Sequence, residues 1–123
     1  MIDHLEFKVL NFQQCLNWYA AILSILNIEL KWNTDNQAGF GFYNEHERVA
    51  ILIEKTDKEL SPLHIAFEAN SVAQVENFFK IGTENGGTVK GAPGFRPNFG
   101  DRYFASFVLD PDRNNIEFVY RGH

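Results

Sequence analysis

Two βαβββ modules, joined into an α+β fold whose eight strands curl into one cup with both helices on its outer face, are what this sequence predicts, and three observations predict them. A strand followed by an amphipathic helix opens the chain, the same pair recurs about 60 residues later, and each pair is followed by three further extended segments. At 123 residues the chain has the length of one domain, with module one about 1–59 and module two about 60–123.

Residues 2–9 alternate, Leu5, Phe7 and Val9 on one face and His4, Glu6 and Lys8 on the other, which is the period of a half-buried strand. From Asn11 the period changes. Phe12, Cys15, Leu16, Tyr19, Ile22, Leu23 and Leu26 recur at helical spacing, and Asn11 with Gln14 resembles a capping box. Extended segments are expected around Glu29 to Trp32, over Gly39 to Tyr43 and over Val49 to Ile53, with a polar turn at Asn33 to Gln37. The order then repeats. Leu63, Ile65 and Phe67 alternate with His64, Ala66 and Glu68, and Ser71 with Gln74 opens a helix bearing Val75, Phe78 and Phe79. Gly86-Gly87 ends that helix, and a short segment at Thr88 to Lys90, a strand at Tyr103 to Leu109 and a strand at Ile116 to Tyr120 complete the set.

Composition excludes several classes of function. Sixteen acidic against eleven basic residues, with no Lys/Arg cluster, argue against nucleic acid and anionic membranes as partners. The longest aliphatic run, Val49 to Ile53, falls far short of the roughly 20 residues that span a bilayer. The N-terminus lacks the apolar stretch of a signal peptide, and a lone Cys15 cannot form an intramolecular disulfide, so a cytoplasmic protein is expected. Cys15 sits on the apolar helix face with no basic neighbour to activate it.

Overlaying the halves sets Ile2-Asp3-His4-Leu5-Glu6-Phe7 on Pro62-Leu63-His64-Ile65-Ala66-Phe67, so that His4 and His64 occupy equivalent positions on the polar faces of their strands. Glu117 lies on the polar face of the last strand, opposite to Ile116, Phe118 and Tyr120. A single strand histidine is commonly a hydrogen-bonded structural residue; two at matched positions, joined by a carboxylate, suit Fe²⁺, Mn²⁺, Ni²⁺ or Zn²⁺ and leave coordination positions open.

The segments IDHLEFKV, NWYAAIL, LHIAFEA, GAPGFRP and FVLDPDRNNIEFV resemble the vicinal oxygen chelate superfamily, the glyoxalase, bleomycin-resistance and extradiol-dioxygenase group, over nearly the whole chain. The resemblance implies a single glyoxalase-like domain, 1–123, that cups one divalent metal (Fe, Mn, Ni or Zn). Carried over residue by residue, it makes His4, His64 and Glu117 metal ligands. Glu54 is the candidate for a fourth ligand and, with Glu117, for the catalytic base, although Leu52 fits that slot as well because an all-apolar strand hides its phase. The sequence departs from relatives at Asn98, Phe99 and Gly100, which follow Arg96-Pro97, and at Arg113, which replaces the Gly usual in a DPDGN turn.

Arg96, Arg102 and Tyr103 flank the loop from Gly91 to Asp101 and are candidates for binding a substrate carboxylate or phosphate; the plainer reading is a solvated loop with one Arg paired to Asp101 or Asp112. The expected function is therefore that of a metal-dependent lyase, isomerase or dioxygenase acting on a small oxygenated molecule, in a homodimer. The alternative is a metal-free binding or resistance protein that sequesters a flat ligand between its many aromatic side chains.

Overall fold

Alternation at the start of the chain becomes strand β1 (Leu5–Val9), whose Phe7 and Val9 are buried while Glu6 and Lys8 face outward. In the computed structural model, which describes residues 1–122, the chain forms two units, Met1–Ser61 and a second beginning at Pro62. Among the described residues no helix is long and apolar enough to cross a membrane.

In the first unit β1 leads into α1 (Phe12–Leu23), which buries Phe12, Cys15, Leu16, Trp18, Tyr19, Ile22 and Leu23. The apolar spacing thus sets the buried stripe, and Trp18 and Tyr19 are held edge to face at 4.8 Å. The expected Asn11 cap makes no side-chain capping bond. A turn of 3₁₀ helix, Ser24–Leu26, ends at Asn27 in the left-handed region (φ 61°), and β2 (Ile28–Asn33), β3 (Gln37–Phe42) and β4 (Ile51–Lys55) follow. The sheet order is β1-β4-β3-β2, with β1 and β4 parallel and the other pairs antiparallel.

The second unit repeats this plan with β5 (His64–Glu68), α2 (Val72–Glu84), β6 (Thr88–Phe95), β7 (Phe104–Leu109) and β8 (Asn115–Tyr120), in the order β5-β8-β7-β6 with β5 and β8 parallel. Here the predicted helix start is real: Ser71 Oγ accepts from Gln74 N at 3.1 Å, and Gln74 Oε1 accepts from Asn70 N at 2.7 Å. Helix α2 is pinned to the sheet by Phe78, stacked on Phe118 with centroids 4.1 Å apart and both rings fully buried.

Sheet content differs from expectation in one place that bears on function. A short segment was expected at Thr88 to Lys90 and then a loop; instead β6 continues to Phe95, taking in Gly91-Ala92-Pro93-Gly94. Two register shifts, between Val89 and Gly91 and between Gly91 and Gly94, accommodate the Gly and Pro residues that read as loop in the sequence.

Candidate functional site

The face of the second sheet turned away from α2 carries the site. Parallel pairing sets Ala66 opposite Glu117 and His64 opposite Asn115, and side chains two residues apart share a face, so His64, Asn115 and Glu117 converge. Phe107 pairs with Glu117 across β7 and joins the same face, as does Tyr103 just before β7. Together with Phe99 these residues line an open cavity of about 420 Å³.

Glu117 is its centre. Its carboxylate is 3% exposed, yet both oxygens have partners: Oε1 lies 3.1 Å from His64 Nε2, and Oε2 accepts the Tyr103 hydroxyl. Burial first, then the hydrogen bond to Glu117 and that carboxylate's charge, push the Tyr103 phenol up to about 12, so the hydroxyl keeps its proton at neutral pH. The His64 ring is half exposed and lies nearly parallel to Phe107, 6.3 Å between centroids. Asn115 brings a different property: its Oδ1 is buried and accepts no hydrogen bond.

Arg96 lies over the Phe107 ring at 5.4 Å, its guanidinium donating to Gly94 O at 2.8 Å and Ala92 O at 2.7 Å. The glycines of β6 make this possible. A Cβ at Gly91 or Gly94 would sit 3.2 Å from an Arg96 nitrogen, and at Gly91 also 3.0 Å from the Phe107 ring. Arg102 donates to Gly122 O at 3.2 Å, and Arg121 stacks on Tyr103 at 4.8 Å. Arg102, Tyr103 and Arg121 border a second cavity of about 310 Å³ with Gly100 and Asp101. Among the described residues, no ion pair joins Arg96 or Arg102 to Asp101.

Two of the expected ligands, His64 and Glu117, thus come together, and their spacing suits a cation. Donors bonded at about 2.1 Å and set at a right angle lie about 3.0 Å apart, close to the separation of Nε2 and Oε1. Among the described residues no group of three His, Cys, Asp or Glu side chains is placed to hold a metal. His4 precedes β1 with its ring half exposed, its Nδ1 2.8 Å from Asp3 Oδ1 and its Nε2 3.5 Å from Glu6. The bond to Asp3 raises the His4 pKa, and in return, with Arg48, lowers that of Asp3.

Register places Glu54 in the first unit. Leu5 pairs with Ile51 as Ile65 pairs with Ile116, so the counterpart of Glu117 is Leu52, and Glu54 stands where the second unit has Val119. Glu54 accepts from Gln37 Nε2 at 3.0 Å and approaches Lys8 at 3.9 Å, beside a cavity of about 190 Å³ that it lines with Leu52 and Glu6.

Sequence reasoning passed over Phe99, Phe107, Asn115 and Arg121. The signal for Phe107 and Asn115 was present, since each lies at an even spacing from Tyr103 or Glu117 on an alternating strand. For Phe99, in a loop, and Arg121, beyond β8, no periodicity could serve.

Known proteins share this architecture. A glyoxalase/bleomycin resistance protein from Albidiferax ferrireducens superposes with a TM-score of 0.79 at 23% identity, over 97% of this chain and 98% of that one. Fosfomycin resistance protein FosX from Mesorhizobium loti gives 0.69 at 16%, over 98% and 91%. A glyoxalase I variant from Zea mays gives 0.70 at 17%, over 96% of this chain but 45% of that longer one. At these identities the likeness is one of fold. No curated protein matches the chain. The sequence profile of one family, however, matches residues 1–118, and by that match the chain belongs to the glyoxalase/bleomycin resistance protein/dioxygenase superfamily.

Proposed function

We propose that the protein is a metal-dependent enzyme of lyase, isomerase or dioxygenase type acting on a small oxygenated molecule, with His64 and Glu117 holding one divalent ion (Fe, Mn, Ni or Zn) and His4 as third ligand. The observation that carries this reading is the His64 Nε2 to Glu117 Oε1 separation of 3.1 Å at the floor of an aromatic-walled cavity. When bound, such an ion polarises substrate oxygens and stabilises the charge that develops on them.

The protein's own residues do the rest. Tyr103 fixes the Glu117 carboxylate by its second oxygen and leaves the first to face His64. The Glu117 carboxylate, which lines the cavity, is the group that would take a proton from a bound substrate. Phe99 and Phe107 supply apolar walls that strengthen electrostatic interactions at the floor. Arg96 and Arg102 offer cationic groups at the edge. Glu54, tied to Gln37, is not needed as a ligand. A homodimer and a cytoplasmic location complete the proposal; sedimentation tests the first.

One observation favours a second reading, metal-free binding of a flat ligand. The Tyr103 and His64 contacts satisfy both Glu117 oxygens without a cation. Elemental analysis of untagged protein purified without chelator separates the two. Close to one divalent metal per chain, lost in His4→Ala, His64→Ala and Glu117→Gln, supports the enzyme. Protein that neither carries nor takes up Fe²⁺, Mn²⁺, Ni²⁺ or Zn²⁺ leaves the binding protein standing.

A further inference from the structure

The ladder between β7 and β8 stops where Phe104 pairs with Tyr120, and the next residues outward are Tyr103 and Arg121. Their side chains meet: the Arg121 guanidinium lies over the Tyr103 ring, 4.8 Å from its centroid. Gly122 then turns the chain in the left-handed region (φ 69°), and the Arg102 stem packs so closely there that a Cβ at 122 would sit 3.0 Å from Arg102 Cδ. The Arg102 guanidinium donates to Gly122 O at 3.2 Å. Two guanidinium groups from neighbouring strand ends are thus brought to the cavity of about 310 Å³ that Gly100, Asp101, Arg102, Tyr103 and Arg121 border. Both are exposed, and neither has an ion-pair partner among the described residues. Asp101 is the acid on the rim, so the lining carries an excess of positive charge in a chain whose net charge is −5.

We propose that Arg102 and Arg121 bind an oxyanion, a carboxylate, phosphonate or phosphate, in this cavity. The inference goes beyond the metal reading and holds whether or not an ion sits between His64 and Glu117. Like charges that face one cavity repel each other, and an anion between them turns that repulsion into attraction. A guanidinium also offers a planar fork of donors that matches two oxygens of such a group at once. Both forks are already held. Arg121 is stacked on a ring, and Arg102 is fixed by one N–H on the Gly122 carbonyl and by its stem against Gly122, so less side-chain freedom remains to be lost on binding. One of the five N–H groups of Arg102 is spent in this way. Tyr103 is a wall of this cavity and of the one around Glu117, so the oxyanion has two sources: a free ion, or the acidic group of a ligand whose body lies between Phe99 and Phe107.

The test titrates full-length, untagged protein with inorganic phosphate and with phenylphosphonate at constant ionic strength, read by calorimetry and by amide chemical shifts. Phosphate should bind with a Kd on the order of 1 mM and move the amides of Arg102, Tyr103 and Arg121. Arg102→Gln and Arg121→Gln should each weaken it at least about tenfold, the loss of charge-assisted hydrogen bonds. Arg48→Gln removes the same charge from the first unit, where Arg48 pairs with Asp3 and Glu45, and should bind as wild type. Asp101→Asn removes the repelling acid and should tighten binding about threefold, a gain that no misfolded variant can imitate. Phenylphosphonate decides the source. If the oxyanion belongs to a ligand of the neighbouring cavity, phenylphosphonate binds tighter than phosphate and also moves the amides of Phe107 and Glu117; if it is a free ion, the two probes bind alike and those amides stay. No binding up to about 10 mM phosphate overturns the proposal. So does an affinity that neither arginine substitution lowers, which is what an anion held by a metal at Glu117 would give, or one that Arg48→Gln lowers as far as Arg102→Gln does. An Asp101→Asn protein that binds no tighter than wild type overturns it as well.

Discussion

The phenol of Tyr103, just before β7, donates a hydrogen bond to the carboxylate of Glu117 on β8, so one oxygen of a buried acid is held by a neutral donor. This fixes the direction in which the carboxylate faces. Its second oxygen is committed to Tyr103, and the first lies 3.1 Å from His64 Nε2.

Tyr103 should therefore ionise well above the ordinary phenol range. Its folded value of about 12 lies above the ordinary 10.0 of an exposed phenol, so the stabilisation from its bond to Glu117 is fully present below pH 10 and is lost as pH rises through 12. Titration of phenolate absorbance should show a step near pH 12 that Tyr103→Phe removes. A wild-type titration complete by pH 11 would show that the bond is not formed in solution.

Glu54→Gln should leave metal content unchanged. The strand register sets Leu52, not Glu54, in the place that Glu117 fills in the second unit, and Gln37 and Lys8 already engage the Glu54 carboxylate. Elemental analysis decides it: a fall as deep as that in His64→Ala would make Glu54 a ligand after all.

The repeat was legible because β1 and β5 alternate strictly and Ser71 with Gln74 carries the capping-box spacing that starts α2. What was hidden is instructive. Ile51-Leu52-Ile53 carries no alternation, so only the pairing of Leu5 with Ile51 reveals which residue faces with Glu6. Gly91 to Phe95 reads as loop from its Gly and Pro content, and only cross-strand bonds to β7, interrupted by bulges, keep it in the sheet. The Arg96 position over Phe107 follows from those bulges and was equally invisible. Glu117 could be placed on the polar face, but not its pairing with Tyr103, which depends on how β7 lies beside β8.

Two substitutions should separate capping from core packing in the second unit. Removing the Ser71 hydroxyl deletes the bond to Gln74 N and should cost about 1 kcal/mol in urea unfolding. Phe78→Ala opens a cavity against Phe118 and should cost about 3–5 kcal/mol. Comparable losses for the two would mean that the Phe78 site collapses around the missing ring.

Glu117→Gln offers the sharpest separation of fold from function. Glutamine has the shape of glutamate, and its amide keeps one oxygen and gains one NH₂ group. The oxygen still accepts from the Tyr103 hydroxyl. The NH₂ donates to His64 Nε2 once the imidazole carries its proton on Nδ1, so both contacts of the wild type survive with one donor reversed. Unfolding free energy should accordingly shift by less than about 1 kcal/mol, whereas Glu117→Leu leaves the Tyr103 hydroxyl without its partner and should cost about 1–3 kcal/mol. The metal is another matter. An amide oxygen is a far poorer ligand than a carboxylate, and the negative charge that faces the cation is gone, so occupancy in Glu117→Gln should fall to the level of His64→Ala while the fold persists. Paired measurements of urea midpoint and metal content read both arms. A Glu117→Gln protein that retains full metal would remove Glu117 from the ligand set, and one that unfolds with Glu117→Leu would show that the carboxylate charge itself, and not its hydrogen bonds, holds β7 and β8 to their present geometry.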